Sequence, residues 1–99
     1  MNGNQQIIQA PVAAAPVAVA PVATNIVTGT LVSTGPGSGT ETVTVFEETA
    51  TPGVFSAGAR EAQVAGVATF PGLTVGLRYF TRTFSAGVYG AASNIVTLI

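Results

Sequence analysis

The chain has 99 residues and 47% hydrophobic residues, but only 7% of its residues are charged and its net charge is −1. It contains no lysine, histidine, aspartate or cysteine, which excludes disulfides, histidine- or cysteine-based catalysis and zinc sites built from Cys or His. So few charges offer no basic surface for nucleic acid or an anionic membrane. We therefore expect one small, non-enzymatic domain without a cofactor.

Residues 1–24 are predicted to form an extended N-terminal arm. Three five-residue repeats begin at positions 10, 15 and 20, each reading Ala-Pro-Val-Ala. The prolines remove backbone donors and favour extended neighbours, which predicts polyproline II rather than helix. Because the repeats are almost free of polar side chains, we expect the arm to lie on a neighbouring subunit, by strand addition or across a sheet edge. A flexible linker is the alternative. The residues predicted to make this contact are Ile7, Ile8, Pro11, Val12, Pro16, Val17, Pro21 and Val22.

Residues 25–99 alternate and turn in the manner of about seven short strands. We expect a single first strand with Gly29 as a bulge or a point of close approach, and a second strand that pairs with it as a hairpin. Arg60 and Glu61 indicate an edge strand that resists further pairing. The predicted strands of this part are residues 25–33, 40–48, 54–57 and 60–64.

The last third is predicted to form three more strands, at residues 67–70, 77–84 and 88–99. In the middle one, alternation places Leu77 and Tyr79 on one face. The opposite face carries Arg78, Phe80, Arg82 and Phe84. Since Arg82 lies in the middle of the strand, we interpret this as the outer face, covered by a partner. The alternative is a core position for both phenylalanines, with the arginines reaching water at the sheet ends.

The segment LTVGLRY, residues 73–79, resembles the tyrosine corner of fibronectin type III and other immunoglobulin-like domains. Residues 66–70 and 92–97 are similar to strands of bacterial repeats of this kind. The resemblance implies a small all-β, Ig-like antiparallel sandwich over residues 25–99. It also implies structural roles for Leu73, Gly76 and Tyr79, whose hydroxyl would bond a backbone group a few residues upstream.

The remaining polar motifs predict little chemistry. The glycine-rich residues 34–39 lack the lysine and helix start of a phosphate-binding loop. Glu47 and Glu48 are neighbours in a strand, so their side chains point to opposite faces and form no catalytic carboxylate pair. A calcium site that combines one of them with loop carbonyls is the one metal alternative, and we expect no metal.

A surface with so few charges suits a subunit that is covered by neighbours. The first residues lack the basic segment of a signal peptide, and the apolar repeats are too short to span a bilayer. We expect a structural subunit of a symmetric assembly, made in the cytoplasm and located at a virion or extracellular surface. A phage capsid decoration or cement protein fits best, with its own copies and a capsid or other scaffold protein as partners. A filament or appendage subunit and a monomeric adhesion or carbohydrate-binding module are the alternatives.

Overall fold

The computed structural model describes residues 21–35 and 41–99, which contain eight β-strands and no helix. Consequently, no described segment is a helix able to cross a membrane. The prediction of an all-β chain is confirmed. The strands are β1 (Val22–Val27), β2 (Thr30–Thr34), β3 (Thr42–Glu48), β4 (Phe55–Ala62), β5 (Val67–Phe70), β6 (Arg78–Ser85), β7 (Val88–Ala92) and β8 (Val96–Thr97).

The strands form two antiparallel sheets that pack as a small β-sandwich, as predicted. The first sheet has the order β1-β2-β5. The second has the order β4-β3-β6-β7, and β8 pairs with β6 at the end that β7 does not reach. The chain changes sheet between β2 and β3, between β4 and β5, and between β5 and β6. This topology puts β3 and β6 in the middle of the second sheet, with β4 at its edge.

The core between the sheets is small because it is built mainly from short side chains. Along β6, the inner positions Tyr79, Thr81 and Thr83 are buried and alternate with half-buried outer positions. This period of two is the one expected for a strand that covers a core with one face. The buried hydrophobic residues are Ala23, Leu31, Val43, Val45, Ala68, Phe70, Tyr79 and Leu98.

The predicted first strand is in fact a hairpin. β1 and β2 are joined by a tight turn at Thr28 and Gly29, and the pairing register shifts between Asn25 and Val27. Gly29 has a φ of +74°, a left-handed conformation that glycine adopts without a steric cost. The glycine therefore reverses the chain, and the prediction of a bulge within one strand was wrong.

The predicted pairing of the next strand was also wrong. β3 crosses to the second sheet and pairs with β4 and β6 rather than with β2. Val43 and Val45 are buried on its inner side, and Thr44 is buried on its outer side. A strand that is buried on both sides belongs in the interior of a sheet, and β3 lies between β4 and β6. β2 instead forms its hairpin with β1, through the tight turn at Gly29.

The boundary between the arm and the sandwich lies earlier than predicted. Val22, Ala23 and Thr24 belong to β1, and the Asn94 side chain bonds both the N–H and the C=O of Ala23, at 2.9 and 3.1 Å. Pro21 is fully buried in its own domain, so its predicted contact with a neighbour was wrong. Val22 is 57% exposed. The predicted contact residues Ile7, Ile8, Pro11, Val12, Pro16 and Val17 lie outside the described residues.

Two strands differ in length from their predictions. β4 is one continuous edge strand that joins two predicted segments, with a register shift opposite Thr44 and Phe46. The predicted last strand is divided into β7 and β8. Ser93 lies between them and ties the chain to β6, because its N–H donates to the Thr81 carbonyl and its Oγ accepts from the Thr81 N–H, both at 2.8 Å.

Candidate functional site: an aromatic and arginine face

Most of the aromatic side chains lie on the outer surface of the second sheet. The strand register places Phe46 opposite Phe80 and Phe84 opposite Tyr89. Phe55 enters the same surface from the edge strand, opposite Glu48. All five rings are half-buried although they lie outside the core. We call this surface the aromatic face, and its residues are Phe46, Glu48, Phe55, Arg60, Arg78, Phe80, Arg82, Phe84 and Tyr89.

The rings of the aromatic face contact one another in a continuous row. Phe46 and Phe80 stack with centroids 4.9 Å apart and planes 3° from parallel. The Phe55 ring meets Phe80 edge-on at 4.9 Å, and Tyr89 meets Phe46 in the same way at 5.2 Å. Phe84 completes the row at 4.8 Å from Tyr89. Such cross-strand aromatic pairs hold each other in place, so the row is a preorganised apolar surface.

All three arginines of the chain lie on this face. The Arg60 guanidinium carbon is 3.7 Å from the centre of the Phe84 ring, a cation–π distance. Arg60 also donates to Thr44 Oγ1 at 3.0 Å and to Tyr89 Oη at 3.2 Å. Arg82 donates through Nε to the Gly90 carbonyl at 2.7 Å. These bonds hold two guanidinium groups beside the rings.

An ion pair closes one end of the aromatic face. Arg78 donates to both carboxylate oxygens of Glu48, at 2.8 and 2.6 Å, and the Gly53 N–H donates to Glu48 at 2.8 Å. The hydrogen bond from Arg78, followed by that from Gly53, lowers the pKa of Glu48 from 4.5 to about 2. The same pair raises the pKa of Arg78. With three arginines and one glutamate, the face carries an excess of two positive charges.

The geometry favours a broad contact over a small ligand. The part of the chain that the structure describes contains no enclosed pocket and no cluster of three or more acidic side chains that could hold a metal. Small-molecule sites are usually concave, whereas protein interfaces are flatter and enriched in aromatic residues and arginine. The aromatic face has the composition and shape of the second kind of site.

The structure places the predicted residues Arg78, Phe80, Arg82 and Phe84 together on this outer surface, and the core positions of β6 belong to the alternate residues. The sequence reasoning missed several further members. Their membership depends on the register between strands, which alternation within one strand does not give. The missed residues are Phe46, Glu48, Phe55, Arg60 and Tyr89.

The residues that carry the tyrosine-corner resemblance lie at the junction of β5 and β6. The Tyr79 hydroxyl accepts a hydrogen bond from the Thr74 N–H at 2.9 Å and donates to Glu47 at 3.1 Å. Leu73 packs against the core, and its N–H donates to the Gly29 carbonyl at 3.0 Å. Gly76 has a φ of +96°. These contacts fix the connection between the two sheets.

Comparison with protein-family models, curated proteins and solved structures finds no match for this chain. The function of the chain is therefore inferred from the geometry and chemistry of the aromatic face.

Proposed function

We propose that this chain is a non-enzymatic structural subunit of a larger symmetric assembly, and that the aromatic face is its main contact surface. The observation that carries the proposal is the row of five rings with three arginines on a sheet face that no other described strand covers. Aromatic residues and arginine are enriched at the core of protein interfaces, where a few residues carry most of the binding energy. A surface that is already ordered loses little further freedom when a partner covers it.

Among such assemblies, we favour the surface of a virus particle, in the role of a capsid decoration or cement protein. The low charge of the chain supports this, because a subunit held among neighbours needs few charges for solubility. Many weak contacts on a lattice act together through multivalency. The partners would be other copies of this chain and a capsid or other scaffold protein. The contact between Tyr79 and Thr74 supports membership of the immunoglobulin-like class.

A carbohydrate-binding module would use the same rings, so glycan binding is measured beside assembly. A filament subunit would use the same face, because ring, shell and fibre differ only in the angle between successive copies.

Light scattering on the full chain tests the proposal. We expect a defined multimer that weakens when Phe80 and Phe84 are both changed to threonine, a good strand former. Ile26→Thr is the matched control, since Ile26 is 60% exposed on the first sheet. Electron microscopy then distinguishes particle from filament. A chain that stays monomeric at high concentration and binds glycans would contradict the proposal.

A further inference from the structure

We propose that the aromatic face of each copy binds the N-terminal arm of a neighbouring copy, through residues 10–20 with their Ala-Pro-Val-Ala repeats. This inference rests on the proposed function, because it names the partner of the same contact surface. It differs from strand addition at a sheet edge, since the arm would lie on side chains rather than pair with a backbone.

The chemistry of the two surfaces is complementary. A polyproline II segment has no internal hydrogen bonds, so its carbonyl groups need donors, and its proline and valine side chains need apolar cover. Proline-rich segments are commonly bound by aromatic-lined surfaces for this reason. Among the described residues, Arg82 donates only through Nε, which leaves its two terminal amino groups available for carbonyl groups. The five rings supply the apolar cover.

The repeat also has the dimensions and the pattern for this contact. With three residues per turn, Pro11 and Val17 share one side of a polyproline II helix, and Pro16 and Val19 share an adjacent side. Residues 10–20 would extend about 34 Å at 3.1 Å per residue. The four strands under the aromatic face are about 14 Å across. The arm is therefore long enough to cross the whole face, and none of its side chains is charged.

The arm begins beside the edge strand that borders the aromatic face. Pro21 is buried against Gly35, where an added Cβ would lie 3.2 Å from the Pro21 Cβ. The same Cβ would lie 4.0 Å from Gln63, the first residue after β4. The arm is therefore joined to the sandwich, at Pro21, near the end of β4.

A neighbouring copy is a better recipient than the copy that owns the arm. No glycine occurs from residue 4 to residue 28, and the prolines favour extended backbone. Folding back onto its own outer sheet would require a chain reversal, and residues 10–20 contain no Gly, Asn, Asp or Ser at which to make one. Each copy would then give one arm and receive another, which is a head-to-tail contact.

Photo-crosslinking between two forms of the full chain tests this inference. One form carries benzoylphenylalanine at Val17, and the other is wild type and uniformly ¹⁵N-labelled. After mixing, irradiation and digestion, we expect mass spectrometry to find Val17 joined to labelled peptides from residues 78–92. Crosslinks within the unlabelled copy alone, crosslinks to other strands, or no crosslinks would overturn the proposal.

Variants of the full chain separate the arm contact from the assembly itself. Phe80→Thr in the labelled form should reduce the crosslink severalfold, while Ile26→Thr should leave it unchanged. Phe55→Thr gives a second test at the edge strand, should the Phe80 variant lose its fold by circular dichroism. A multimer without the Val17 crosslink would overturn the arm contact and leave the proposed function standing. A monomer without the crosslink would overturn both.

Discussion

The hydroxyl groups of Ser33 and Thr81 form a 2.7 Å hydrogen bond in the middle of the sandwich, joining β2 of one sheet to β6 of the other. Both residues are fully buried. Thr83, two positions further along the same face of β6, is equally buried, but its hydroxyl has no hydrogen-bond partner among the described residues. Two threonines in similar surroundings therefore differ in whether the hydroxyl is paired.

This difference predicts that substitution by valine has different effects at the two threonines. Thr81→Val should lower the free energy of unfolding by about 1–3 kcal/mol, because it leaves the Ser33 hydroxyl buried without its partner. Thr83→Val should be neutral or stabilising, because it replaces an unpaired hydroxyl with a methyl group of similar shape. Urea denaturation measures both variants. In the double variant Ser33→Ala with Thr81→Val, the cost should be smaller than the sum of the single costs. Equal losses for the two threonines would contradict this account.

The ion pair at the end of the aromatic face predicts a component of acid sensitivity. The Arg78 guanidinium holds the pKa of Glu48 at about 2 in the folded chain, below its ordinary 4.5. The pair therefore contributes its full stability above pH 4.5, and this contribution is lost as the pH falls toward 2. Glu48→Gln should flatten the dependence of Tm on pH in that window. Glu61→Gln on the exposed edge strand is the matched control, and it should keep the wild-type slope. An unchanged slope in the Glu48 variant would be evidence against the pair.

Asn94 should be required for the order of β1. Its side chain occupies both backbone groups of Ala23, at the edge of β1 away from β2. We expect Asn94→Ala to cost about 1–3 kcal/mol, the net value of two hydrogen bonds. Hydrogen exchange should show faster exchange of the Ala23 amide. Asn94→Asp keeps an acceptor for that amide, so it should preserve more of the protection. Unchanged exchange in the alanine variant would mean that β1 does not depend on this contact.

The sequence predicts the class of fold well because strand alternation is a local property. Alternating residues along β6 predict its inner and outer faces, and short strands with regular turns predict a sandwich. The pairing of strands is not local. A glycine such as Gly29 is compatible in sequence with either a bulge or a tight turn. Its φ of +74° and the antiparallel pairing of β2 with β1 show that it forms a turn. Likewise, the place of β3 in the second sheet depends on burial of both its faces.

The residues of the aromatic face could likewise be predicted only in part from the sequence. Phe80 and Phe84 are found by alternation within one strand, but Phe46, Phe55 and Tyr89 join them only through the registers of β3, β4 and β7. A slip of one residue would move such a ring to the other side of the sheet. The sequence therefore indicates four of the nine residues of this surface, and the register supplies the rest.

The buried hydroxyl of Tyr79 predicts a loss of stability at alkaline pH. Burial raises its pKa above the ordinary 10, so the fold favours the protonated hydroxyl that bonds Thr74 and Glu47. Its contribution to stability is fully present below pH 10 and is lost as the pH rises through the higher folded-state pKa. Tyr79→Phe should cost about 1–3 kcal/mol near neutral pH and should remove this alkaline decline. Tyr89→Phe on the aromatic face is the matched control, and it should keep the decline. Thermal unfolding followed from neutral pH to above pH 10 measures both variants, and an alkaline decline that persists without the Tyr79 hydroxyl would assign it to another group.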